Sequence, residues 1–326
     1  MINIKYLQEP ESTTHPKWFN SPVTSYVGNV TEIRSHIPVF EERPFGLAPV
    51  ESQSSRNNEK LNVIIRLPHG NDNNFVPVNV VSKNYTLVQH IDVFDTAVKA
   101  LESSNIDLDN VAVQLKITQY GERISLNMYL PDNYNFDPGD GHPMALRFEC
   151  LNSIDGSTRF RVLAGWFRFV CSNGLIVGKS YSDVHRRHIG NIRLEDVQRT
   201  FESIIEGAEN DRSQIFSWRK TEITIDALKP WIEGSLCKAW GLKAAVRAFH
   251  IALHGWDVNI TDGYREKSLT NIQVKRVQKV PGAPEECRNL YDLSQILAWL
   301  ASERRDVQEQ LEWREKIPEL ITYFPL

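Results

Sequence analysis

Val111-Ala-Val-Gln-Leu-Lys-Ile-Thr-Gln-Tyr-Gly-Glu-Arg-Ile-Ser-Leu-Asn-Met-Tyr-Leu130 holds two alternating runs separated by a turn. Val111, Val113, Leu115 and Ile117 alternate with polar or small neighbours, and Ile124, Leu126, Met128 and Leu130 do the same. A period of two places each set on one side of a strand, and Gln119-Tyr120-Gly121-Glu122 supplies the reversal between them. The reading is a β-hairpin with one strongly apolar side. Upstream, Val93, Phe94, Ala97, Val98 and Leu101 recur at helical spacing, so a helix is expected over 92–103. Downstream, Leu146, Phe148 and Cys150 mark a third strand after the polar insertion 131–143, and Phe160 and Val162 mark a fourth. This order predicts an α+β protein with an antiparallel sheet of about four or more strands packed with helices.

The flanks read differently. Residues 1–80 are polar and irregular, with Pro10, Pro16, Pro22, Pro38, Pro44 and Pro49 in the first fifty, and short strands are expected at 61–67 and 76–81. After 193 the periodicity is helical: Leu194, Val197, Phe201, Ile204, Ile205 and Ala208 form one stripe. Thr224 caps a helix from Ile225, a further helix spans 238–254, and two more cover 288–303 and 304–322. The expected organisation is therefore an N-terminal arm (1–80), an α+β core (81–193) and a mainly helical region (194–326).

Composition sets outer bounds. The 326 residues are 41% hydrophobic and 24% charged, as in ordinary globular proteins. No apolar run reaches the roughly 18 residues of a membrane span, and the first residues lack a signal-peptide pattern. Cys150, Cys171, Cys237 and Cys287 are scattered without a CxxC pair, which fits free thiols in a reducing, cytoplasmic compartment. The net charge of −4 hides local excesses. Residues 147–193 carry eight Lys/Arg against three Asp/Glu, and residues 243–279 carry seven against three. Such basic stretches on an acidic chain attract phosphates, although a mixed solvated surface is the plain alternative.

Asn152-Ser153, Asp155-Gly156, Gly165, Phe167-Arg168, Val170-Cys171, Asn173-Gly174-Leu175 and His188-x-Gly190 follow one another within about 45 residues. This pattern resembles the prophage- and plasmid-borne family called domain of unknown function 932, in particular its YafZ/YfjQ-type prophage members. Tyr85-Thr-Leu-Val-Gln-His90 and Asn289-Leu-Tyr-Asp-Leu293 resemble the family's edges. The resemblance implies a mobile-element protein and assigns no activity.

The candidate site follows from what the turns and core leave unexplained. Asp155-Gly156 and Asn173-Gly174 are accounted for by chain reversal. Arg147, Arg159, Arg161 and Arg168, interleaved with Trp166, Phe167 and Phe169, suit a strand-tracking groove, though the rings serve equally as core. Lys179, Arg186, Arg187 and His188 form the densest basic cluster and are candidate phosphate contacts. These eight residues are the expected nucleic-acid site.

No metal or cofactor is implied. His185/His188 lack a completing ligand, His250/His254 lack the glutamate of a zincin helix, and no Walker A, GxGxxG or GxSxG sequence occurs. The primary expectation is binding of nucleic acid, single-stranded DNA in the first instance, by an annealing or recombination accessory factor that forms homo-oligomers. The alternatives are an interaction protein acting on a host defence or replication factor, and a metal-dependent nuclease.

Overall fold

The structure is a computed structural model and describes residues 19, 21–46, 56–158, 160–168, 174–175, 194–263 and 268–325. The protein is α+β. A seven-stranded antiparallel sheet has the order β1 (Val23–Gly28), β5 (Ala112–Thr118), β6 (Arg123–Tyr129), β8 (Met144–Ser153), β9 (Arg161–Arg168), β10 (Gly174–Leu175), and the short β7 (Asn135–Phe136) pairs with β8. The chain divides into two compact units, one built from 1–133, 147–164 and 181–206, the other from 134–146, 165–180 and 207–326.

In the first unit the expected hairpin forms β5 and β6, in register from Ala112↔Tyr129 to Ile117↔Ile124. Gly121 closes it at φ +77°, a region that glycine enters without steric cost, and a Cβ there would sit 2.8 Å from Pro38. Alternation divides the sheet into two chemically distinct sides. Val113, Leu115, Ile117, Ile124, Leu126, Met128, Phe148 and Cys150 line one side and are buried. The expected helix, α2 (His90–Ser103), buries Val93, Phe94, Ala97 and Leu101. Phe201 of α3 (Leu194–Lys220) stacks on Phe148 at 4.2 Å.

Side-chain staples hold α2's start to the sheet. Asn152 Nδ2 donates to Val88 O at 3.0 Å and to His90 Nδ1 at 2.9 Å. That fixes the imidazole with its proton on Nε2, which donates to Gly121 O at 2.8 Å. Gln89 bonds both backbone groups of Phe40, and Tyr85 Oη donates to Ile154 O. Asp155 receives Arg123 Nε at 2.7 Å while its other oxygen caps the turn at Ser157. The residues that carry the family resemblance here are thus turn and staple residues.

The N-terminal stretch is more regular than its prolines suggest. It forms β1, a short helix α1 (Val30–Arg34) capped by Asn29 and Glu32, and β2 (Phe40–Pro44). The expected strands at 61–67 and 76–81 appear as β3 (Leu61–Arg66) and β4 (Val76–Ser82), which join β2 in a separate sheet. Phe40, Ile64, Val81 and Ile154 form a small core there.

The second unit is mostly helical. Thr224 caps α4 (Ile225–Trp231) as expected; a π turn (Ile232–Leu236) and α5 (Cys237–Trp240) follow. The single helix expected over 238–254 is instead two, because Gly241 at φ +84° stops α5 before α6 (Leu242–His254). α7 (Leu290–Ser302) is buried around nearly its whole circumference, and α8 (Val307–Thr322) runs through Pro318. Between α6 and α7 lies a feature absent from the helical expectation: an antiparallel ribbon of β11 (Trp256–Asp262) and β12 (Gln273–Lys279).

Candidate functional site

Of the eight expected site residues, Arg159, Lys179, Arg186, Arg187 and His188 lie outside the described residues. The other three are described and buried. Arg168 is 3% exposed, pairs with Asp140, donates to Gly282 O at 3.0 Å and lies 6.0 Å from the Tyr291 ring. Arg161 is 4% exposed on β9. Arg147 stands opposite Tyr129, lies 6.0 Å from its ring and donates to Glu149 at 2.9 Å. Burial opposes the Arg147 charge, but Glu149 and Tyr129 outweigh it and hold the guanidinium above its ordinary range. Each described arginine therefore faces protein groups.

Arg147 belongs to a polar layer on the side of the first unit's sheet opposite the apolar core. Register places Gln114, Asn127 and Glu149 in one cross-strand row, Lys116 beside Ser125 in the next, and Tyr129 beside Arg147. Asn127 Nδ2 donates to Gln114 at 3.4 Å. Lys116, Ser125, Asn127, Tyr129 and Arg147 are all buried, so both faces of these strands are withdrawn from water. Burial, reinforced by Arg147 and opposed by Glu149, pushes the Lys116 amine down to about 8. Burial also raises the Tyr129 phenol. An amine poised near neutrality can exchange a proton at physiological pH, which an ordinary lysine cannot do. Polar groups in a sheet interior are costly to fold around, so this layer is the first unit's most function-like feature.

The second unit offers an open cationic surface. Six of the seven β12 residues are exposed, among them Lys275, Arg276 and Lys279, and the strand has no acidic residue. Lys275 stands directly opposite exposed Asn259. Arg276 lies 5.5 Å over the half-buried Trp256 ring. The ribbon is anchored at its ends by Val280 N to Gly255 O at 2.9 Å and by Leu269 N to Glu233 Oε1 at 3.1 Å. The basic excess of 243–279 is legible in the sequence, but the ribbon that displays it is not. On α6, His250 Nδ1 and His254 Nε2 lie 3.3 Å apart, and both rings are held below their ordinary range by burial and Arg276. Among the described residues no group of three His, Cys, Asp or Glu converges as a metal shell would.

The family model for the domain of unknown function 932 (DUF932) matches residues 77–252. The chain belongs to this family. Two Escherichia coli (strain K12) relatives are UPF0380 protein YfjQ, 33% identical over 91 residues, and UPF0380 protein YafZ, 38% identical over 52. The first match covers 27% of this chain and 30% of the relative, the second 16% and 19%, so less than a third of either relative is spanned. No solved structure matches the chain. The DUF932 segment runs from β4 through most of α6, taking in the polar layer and the Asn152–His90 staple; the β11–β12 ribbon lies beyond it. No helix among the described residues is long and apolar enough to cross a membrane.

Proposed function

We propose that this DUF932 protein is a mobile-element factor that binds nucleic acid in a recombination accessory role, with the β11–β12 ribbon as its principal cationic surface. The observation that carries the reading is β12: three exposed cations on seven residues, with no carboxylate among them. Lysine and arginine on a rigid, solvent-facing strand displace condensed counterions from a phosphate backbone, which is the main source of sequence-independent affinity. The Lys179–His188 cluster is proposed as a second contact. Arg147, Arg161 and Arg168 then serve as internal pairing groups that hold the scaffold.

The test is a mobility-shift series with single-stranded DNA, duplex DNA and RNA at two salt concentrations. Three neutralised phosphates give a slope of about −2.7 in log K against log salt, which is about a 40-fold loss between about 50 and 200 mM. The double variant Lys275→Glu, Lys279→Glu loses most of this binding, and Arg186→Glu, Arg187→Glu weakens it further. Undetectable binding by the unaltered protein, or binding that salt does not change, refutes the reading.

A further inference from the structure

We propose that the β11–β12 ribbon enters the major groove of B-form duplex DNA; this rests on the nucleic-acid reading above and specifies its substrate. A two-stranded ribbon, with strands about 4.8 Å apart and side chains on both faces, fills a groove about 12 Å wide. Seven residues at about 3.3 Å each extend about 23 Å, the length of roughly seven base steps at 3.4 Å.

The side chains match that setting. Asn259 and Lys275 are directly opposed and exposed, and Gln273, two residues along β12, lies on the same face. Asparagine and glutamine can bond the N6/N7 edge of adenine, and lysine the O6/N7 edge of guanine. The register skips between Asp257↔Gln278 and Val258↔Arg276, which leaves Val277 as a bulged extra residue, 53% exposed. A bulge increases the local right-handed twist, and an exposed valine there offers apolar contact for a thymine methyl group. Arg276 and Lys279 stand opposite Val258 and Trp256 on the ribbon's other face and are exposed, which leaves them to phosphate rather than base contact. Asp262, opposite Gln273, places an exposed carboxylate at the far end and marks where phosphate contact stops.

The same surface is poorly suited to the alternatives. Single strands are gripped by rings on which bases stack. Among the described ribbon residues the one aromatic is Trp256, half-buried with the Arg276 guanidinium over its ring. Duplex RNA has a major groove too deep and narrow for side chains to read.

Fluorescence anisotropy with one sequence as duplex DNA, single-stranded DNA and duplex RNA separates these cases. Methylation interference then separates the grooves, with the unaltered protein selecting among duplexes methylated at guanine N7 (major groove) or adenine N3 (minor groove). The expected result is duplex DNA bound at least tenfold tighter than either competitor, exclusion of N7-methylated duplexes, and loss of that exclusion in Asn259→Ala, Lys275→Ala. Equal or tighter binding of the single strand, or interference confined to adenine N3, overturns the groove assignment while the nucleic-acid reading stands. Absence of binding to all three overturns both.

Discussion

Replacing Lys116 by methionine tests whether the polar layer holds an ammonium group under strain. The amine titrates at about 8 in the folded protein against 10.5 for an ordinary lysine. At about 1.4 kcal/mol per pH unit, that gap corresponds to about 3 kcal/mol. Between those two values the unfolded chain binds the proton and the folded protein does not, so the wild type gains stability as pH rises through the window. Below about 8 both states are protonated and the folded state carries the full penalty. Lys116→Met keeps an unbranched chain one atom shorter and has no proton to bind, so it lacks this gain. Its stability relative to wild type should therefore fall by about 3 kcal/mol from pH 7 to 10.5. Urea denaturation at half-unit steps from pH 7 to 10.5 measures the difference directly, with most of the change expected above pH 8. A wild-type-to-variant gap that stays flat across that range refutes a buried, burial-depressed amine. A gap that changes in the opposite direction means that Glu149 outweighs burial.

Asn152→Ala removes the donor shared by Val88 O and His90 Nδ1 in a fully buried position, and should cost about 2–3 kcal/mol in chemical denaturation. Gly121→Ala forces a Cβ into a positive-φ turn 2.8 Å from Pro38; a loss of about 1–3 kcal/mol is expected, and a neutral result would mean that the β5–β6 turn relaxes freely. Asp257 receives both Arg247 nitrogens at 2.6–2.8 Å and Trp299 Nε1 at 3.0 Å, and these outweigh burial to hold its carboxyl below the usual range. Asp257→Ala strands the Arg247 charge and should cost about 3–5 kcal/mol, read as a lowered urea midpoint.

The sheet and its first helix were legible because Leu115, Leu126 and Phe94 repeat at periods that only one element type satisfies. Thr224 was legible as a cap because its side chain has a defined local task, accepting from Ala227 N. The destination of the arginines was not legible. Alternation says that Arg147 and Leu146 point to opposite sides, but not that both sides of β8 are buried. Sequence therefore offered Arg147, Arg161 and Arg168 as surface cations, whereas Glu149 and Asp140 stand near enough to two of them to make burial tolerable. The ribbon escaped for the opposite reason. Gln-Val-Lys-Arg-Val-Gln-Lys buries almost nothing, so it carries no apolar period to detect. Its identity as a strand comes from pairing with β11. Gly241 was visible, but a glycine within a helical pattern does not announce that its φ is positive.

β1 pairs with β5 from Val23↔Thr118 to Gly28↔Val113, so its first residue meets a partner 95 positions later (118 − 23). During synthesis at roughly 5–20 residues per second, β1 waits about 5–19 seconds before that partner exists. β5 needs only the next turn to find β6. A chain clipped before Gly28 would still form the hairpin, but the sheet's open margin would pass from the partly exposed β1 to Ala112–Thr118, whose residues are otherwise nearly all buried, an apolar edge better able to recruit another chain. The first described strand is thus the one that covers β5, and removing it should trade solubility for self-association.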